Sequence, residues 1–121
     1  MGLFNFFRPK KPKFDTSLIR WRKPWNIISP DHAPLVEAEL KREMCAGHVL
    51  FGRSVTAIGY RDDGGDGDIL FYLGDKLPRF AVVHLTYRRE TLTAWPHTLL
   101  YDSLDDWLQR RMIPDAAEFA L

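Results

Sequence analysis

Between residues 53 and 87, three apolar, β-branched runs alternate with glycine-bearing turns, and this pattern constrains the fold more than any other feature of the chain. Residues 53–60 (Arg-Ser-Val-Thr-Ala-Ile-Gly-Tyr) have the short period and composition of a strand. Residues 61–67 (Arg-Asp-Asp-Gly-Gly-Asp-Gly) read as a turn, because glycine reaches positive φ without steric cost. Residues 68–73 form a second predicted strand, residues 74–78 a second turn and residues 79–87 a third strand. Connections this short join successive antiparallel strands. The third strand carries large apolar groups on both faces, so it is expected to pair centrally or be covered on both sides.

Two helices flank this meander. Residues 31–46 place Val36, Leu40 and Met44 on one stripe, with Asp31 as a cap, Pro34 in the first turn and Gly47 as the stop. Glu37, Glu39 and Glu43 are expected on its solvated face. Residues 103–112 open with a capping-box variant, Ser103 and Asp106, and close at Pro114. Leu104, Trp107, Leu108 and Met112 form its apolar stripe. The expected fold is therefore α+β: a three- to four-stranded antiparallel meander with an N-terminal and a C-terminal helix packed on one face. Residues 15–121 form one domain, and residues 1–14 a basic, aromatic N-terminal arm.

A charge split runs beneath the near-neutral total of +1. Residues 1–24 carry seven Lys or Arg and the single acid Asp15, whereas residues 25–121 carry ten basic and fifteen acidic side chains. A basic arm of +6 is thus joined to an acidic body of −5. The arm, with Phe4, Phe6 and Phe7 ahead of its lysines, can meet an anionic membrane through residues 1–13. An acidic body disfavours nucleic acid, whose affinity comes from neutralised phosphates. Trp21 and Trp25 are expected to fasten the N-terminal segment onto the sheet rather than to stack on bases. A lone Cys45 excludes an internal disulfide and suits a reducing, cytoplasmic setting.

No motif names a reaction. The loop containing Asp62, Asp63, Asp66 and Asp68 has the charge of a calcium loop, but an EF-hand register from Asp62 puts Gly64 at position 3 and Leu73 at position 12. None of His32, His48, His84 and His97 stands three or four residues from another. There is no Gly-x-Ser-x-Gly, and the glycine run precedes a strand rather than a helix. No catalytic residue, metal ligand or cofactor is assigned. His84, mid-strand among apolar residues, is expected to be a hydrogen-bonded core residue, and catalysis there would require an orienting acid.

The segment Ala81-Val82-Val83-His84-Leu85-Thr86-Tyr87 resembles a VVHLTW-like strand of an uncharacterised group of small bacterial proteins. The stretch from Pro96 to Trp107, ending Ser103-Leu104-Asp105-Asp106-Trp107, is similar to the same group. The opening Met1-Gly2-Leu3-Phe4-Asn5-Phe6-Phe7 followed by lysines resembles the start of small toxin-immunity proteins. That likeness implies a non-enzymatic protein-binding module that meets a basic partner through an acidic surface. The contact groups expected for such a partner are Asp62, Asp63, Asp66 and Asp68, with Asp102, Asp105 and Asp106. The alternatives are a small enzyme around His84, or a membrane or nucleic-acid adaptor using the arm.

Overall fold

The computed structural model describes residues 11–64 and 67–121. Five strands form one antiparallel sheet in sequence order: β1 (Trp25–Ile27), β2 (Thr56–Arg61), β3 (Asp68–Tyr72), β4 (Phe80–His84) and β5 (His97–Tyr101). The three predicted strands are its centre. The two edge strands were not anticipated: β1 has only three residues, and β5 lies in what reads as a connection. Helix α1 (Ala33–Glu43) sits between β1 and β2. After β5 come α2 (Leu104–Trp107), a π-helical turn (Leu108–Met112) and α3 (Ile113–Phe119).

The helices do not share a face, which corrects the expected packing. On one face the α1 residues Val36 and Leu40 meet Ala57, Ile69, Phe71, Ala81 and Val83. On the other, Trp107 and Met112 meet Ile58, Leu70, Tyr72, Phe80, Val82 and Tyr101. The reason lies in the strands themselves. Along β3 and β4 both alternating sets of side chains are apolar, and Phe80 to Val83 are all buried. A single helical layer would leave one of those sets in water, at about 25 cal/mol per Å² of apolar surface.

Local chemistry sets the boundaries. Asp31 does not cap α1; the Ser29 hydroxyl accepts the His32 N–H at 3.1 Å instead. The C-terminal helix does not stop at Pro114 but runs on to Phe119. The π-helical turn passes the Ile113 N–H back to Leu108 O, and Pro114 falls in the first turn of α3, where the missing N–H is tolerated. Gly67 has φ +96°, and a Cβ there would stand 2.5 Å from Leu85 O. Two residues of β2, Ile58 and Gly59, stand against Leu70 in a bulge. A Cβ on Gly59 would lie 2.5 Å from the Trp21 ring.

Tryptophans close the second face. Trp25 and Trp107 are fully buried. Their rings meet edge-on, 5.3 Å apart at 85°, and Trp21 adds a second tilted contact to Trp107 at 6.2 Å. The last four residues of the segment read as an arm join this body. Phe14 packs on Tyr72 and Phe80 at 5.0 and 5.4 Å, Lys11 pairs with Glu37 at 2.9 Å, and the Thr56 hydroxyl donates to Pro12 O. Residues 1–10, with most of the arm's aromatic and membrane-facing expectation, lie outside the described residues.

Trp107→Ala is expected to cost about 3–5 kcal/mol of stability in chemical denaturation. A loss below ~1 kcal/mol would show that the ring does not fill the second core. Gly59→Ala should cost ~1–3 kcal/mol by the same measurement, and Trp21→Ala in that background should recover part of the loss.

Candidate functional site

The residues that carry chemistry gather at one end of the sheet, where β3 begins, β4 ends and β5 begins. Asp68, His84 and His97 are in register on these three adjacent strands. The same alternation that turns Leu70 and Val82 toward Trp107 turns Asp68 and His84 to that face. Asp68 Oδ1 stands 2.7 Å from His84 Nδ1, and Asp68 Oδ2 accepts from Arg111 at 3.1 Å. His84 is therefore hydrogen-bonded as expected, but it is not a core residue: its side chain is 52% exposed. β4 is buried as far as Val83 and emerges at its last residue.

Behind this pair runs a chain of ion pairs. Asp115, nearly buried, accepts from Arg111 Nε at 2.8 Å, from Arg61 at 2.9 Å and from the Trp25 indole at 2.9 Å. Arg61 also reaches Asp63 at 2.6 Å. Burial works against the charge on Arg111, but its carboxylate partners outweigh that cost and hold its pKa above the ordinary value. One end of the Arg111 carboxylate clamp fixes the C-terminal helix, and the other orients the imidazole.

The loop from 85 to 96 leads from this corner to β5, and α1 holds it in place. Glu43 is fully buried rather than on a solvated face. It accepts the Thr86 and Tyr87 N–H groups at 2.8 Å each and the Thr86 hydroxyl at 3.0 Å, while its own carbonyl accepts the Glu90 N–H. Glu37 likewise leaves the solvated face, accepting the Ala57 N–H at 2.8 Å. Glu39 pairs with Arg42 at 2.6 Å. Tyr87 adopts a left-handed φ of 58° beside the carboxyl that holds its N–H. Burial, followed by the neighbouring Glu39, pushes the Glu43 pKa up against the pull of the Thr86 and Tyr87 N–H groups. At the loop's far end, buried His48 accepts the Leu50 N–H on Nδ1 at 3.0 Å, so Nε2 bears the proton and donates to Pro96 O at 2.9 Å.

Held at both ends, this stretch exposes Tyr87, Leu92, Trp95 and, within β5, Leu99. The Trp95 ring leans on His97 at 6.3 Å. The composition of 88–101 hid this surface from sequence reading. The one available signal was the run Thr98-Leu99-Leu100-Tyr101, which has a strand's residues but stands next to Trp95-Pro96.

The sequence-predicted acids fall into two groups at opposite ends of the strands. Asp62, Asp63 and Asp68 stand at the β2–β3 turn, where Asp63 and Asp68 are held by Arg61, Arg111 and His84. Asp66 lies outside the described residues. Asp102, Asp105 and Asp106 stand beyond β5. Asp106 accepts the Asp102 N–H at 2.9 Å and pairs with Arg110 at 3.1 Å, which lowers its pKa. Asp102 and Asp105 are exposed.

Two surface cavities of about 470 and 450 Å³ lie elsewhere, lined by Lys11 to Phe14 with Thr56, and by Arg53, Ser54 and the β3–β4 turn with Pro12. Among the described residues no group of three or more His, Cys, Asp or Glu side chains is placed to hold a metal ion, and no helix is long and apolar enough to cross a membrane. Comparison with protein-family models, curated proteins and solved structures found no match.

Glu43→Ala leaves two buried N–H groups without their acceptor and should cost about 2–4 kcal/mol in urea denaturation. The raised pKa of Glu43 stabilises the fold fully below the ordinary glutamate value of 4.5, and that stabilisation is lost as pH rises through the folded-state value. The stability difference between the natural protein and Glu43→Gln should therefore shift toward the Gln variant as pH is raised from 4 upward. A difference that is flat with pH would assign Glu43 an ordinary pKa.

Proposed function

We propose that this chain is a protein-binding module whose docking surface is β5 together with the loop that precedes it. The observation that carries this reading is the exposure of Leu99 on the edge strand and of Leu92 and Trp95 in the loop that leads into it, with no formal charge between His97 and Tyr101 when the histidine is neutral. Exposed apolar groups on an edge strand and the loop leading into it are the material of a contact surface. Unguarded strand edges offer unpaired main-chain groups to another chain. The resemblance of the N-terminus to toxin-immunity proteins, and the −5 charge of the body, point the same way. The division of the acids between two ends moves the centre of the proposed contact away from them and onto β5. A lone Cys45 fits a cytoplasmic place of work.

A second reading, a small enzyme, rests on the 2.7 Å contact between Asp68 and His84. A carboxylate on Nδ1 with the rest of the imidazole in solvent is the arrangement of an oriented proton acceptor. Turnover of chromogenic ester or phosphoester substrates that is lost in His84→Gln and Asp68→Asn but kept in His97→Gln would favour it.

The binding reading is tested by placing a photo-crosslinking side chain at position 92 or 99 in the native cell, with exposed Leu35 on α1 as the control position. Adducts of discrete mass at 92 and 99, absent at 35 and abolished at 92 by Leu99→Lys, are expected. Equal labelling at all three positions, or none at 92 and 99, would overturn the reading.

A further inference from the structure

We propose that the partner at this edge is a second copy of the chain, joined through β5 about a two-fold axis at Leu99; this rests on the binding reading above and names its occupant. The strand register fixes which main-chain groups are available. The Leu73 N–H donates to Arg79 O and the Leu85 N–H to Gly67 O, whereas the Arg79 N–H, just ahead of β4, donates to Tyr101 O; within the strand, residues 81, 83 and 85 therefore turn their main-chain groups toward β3. Because these directions alternate along a strand, Phe80, Val82 and His84 turn theirs toward β5. Their register partners Tyr101, Leu99 and His97 are the bonded residues of β5, and the N–H and C=O groups of Thr98 and Leu100 point out of the sheet.

Those two residues are symmetric about Leu99. In an antiparallel two-fold pairing, Thr98 of one copy faces Leu100 of the other, and the reverse, giving roughly four main-chain hydrogen bonds. Leu99 then meets its own copy at a position where cross-strand side chains stand closest. Its exposed side chain gains a partner that the monomer does not supply.

Charge favours the same pairing. Arg88 and Arg89 are exposed at the end of the sheet where β5 begins, and Asp102 and Asp105 are exposed where it ends. None of the four makes an ion pair among the described residues. An antiparallel two-fold brings the basic end of each copy onto the acidic end of the other. A parallel arrangement would set like on like. The opposite edge lacks these features: β1 is three residues long and preceded by Lys23-Pro24, the short, proline-flanked form that discourages pairing. The seam is small beside the ~1,600 Å² of a typical stable complex, so the dimer is expected to dissociate in the ~10–100 µM range.

Sedimentation equilibrium of the full chain from about 5 to 500 µM tests the proposal, with monomer mass 14.1 kDa. The natural protein should approach twice that mass, and raising the salt should weaken the association. Thr98→Pro removes an outward N–H, and with it the hydroxyl that donates to Pro96 O at 2.9 Å; it should be monomeric, with circular dichroism showing that the fold is kept. Should that variant fail to fold, Leu99→Lys, which places two like charges at the axis, should weaken the dimer at least tenfold. Arg88→Asp with Arg89→Asp should weaken it, and Asp102→Arg with Asp105→Arg in that background should restore it. A monomer throughout the range, or a dimer indifferent to Thr98→Pro and Leu99→Lys, overturns the two-fold seam. Should the chain be monomeric and still give a heavier, Leu99-dependent adduct in the cell, the docking edge stands and the second copy is rejected. Should neither appear, both fall.

Discussion

The edge-on contact between Trp107 and Trp25 is the joint on which the rest of the structure depends. Trp25 belongs to the shortest strand, β1, and its ring would have little to pack on without the C-terminal helix. Trp107 belongs to a helix that begins with a single turn and relies on tertiary packing to persist. Each aromatic ring therefore supplies the other's burial. The same C-terminal segment carries Arg111 beside Asp68 and Asp115 beside Arg61, and Asp115 returns the connection by accepting the Trp25 indole N–H. Aromatic packing, the ion-pair chain and the carboxylate that orients His84 are thus joined through shared residues.

A comparable joint on the other face serves the loop before β5. Glu43 sits at the last turn of α1, where its stripe neighbours Val36 and Leu40 are already committed to the sheet. Its carboxyl is carried into the protein with them and satisfies the Thr86 and Tyr87 N–H groups that the end of β4 leaves unpaired. His48 does the same for Pro96 O. Two buried polar residues thus replace the main-chain pairing that an irregular loop lacks. The loop so held exposes Leu92 and Trp95, and it delivers the chain to β5 in register with β4. Docking surface and fold share one set of supports.

Much of the centre was legible beforehand. The period-2 runs and glycine turns located β2, β3 and β4, the helical stripe located α1, and Trp107 was read as a core residue. The edge strands were not legible. β1 is too short to show a period, and β5 alternates His97, Leu99 and Tyr101 with Thr98 and Leu100 so that neither face reads as apolar. Glu43 was misread because a carboxylate at helical spacing from Glu39 has the pattern of a solvated face; only the arrival of the Thr86 and Tyr87 N–H groups gives it a reason to be buried. His84 was misread in the opposite sense, since apolar neighbours in sequence do not reveal that the second core covers Val82 and leaves the His84 side chain half exposed.

By itself the sequence determined the local matters: which segments alternate, where glycine lets the chain reverse, which helix faces are apolar, and that the charge is divided between arm and body. Those properties depend on neighbours a few residues away, and the chain carries them in any conformation. The tertiary structure alone decided that the two helices cover opposite faces, that Asp68 and Arg111 meet, that a glutamate is buried, and that Thr98 and Leu100 turn their main-chain groups outward. Each of these depends on groups tens of residues apart being brought within hydrogen-bonding or van der Waals distance, and no local pattern encodes that separation.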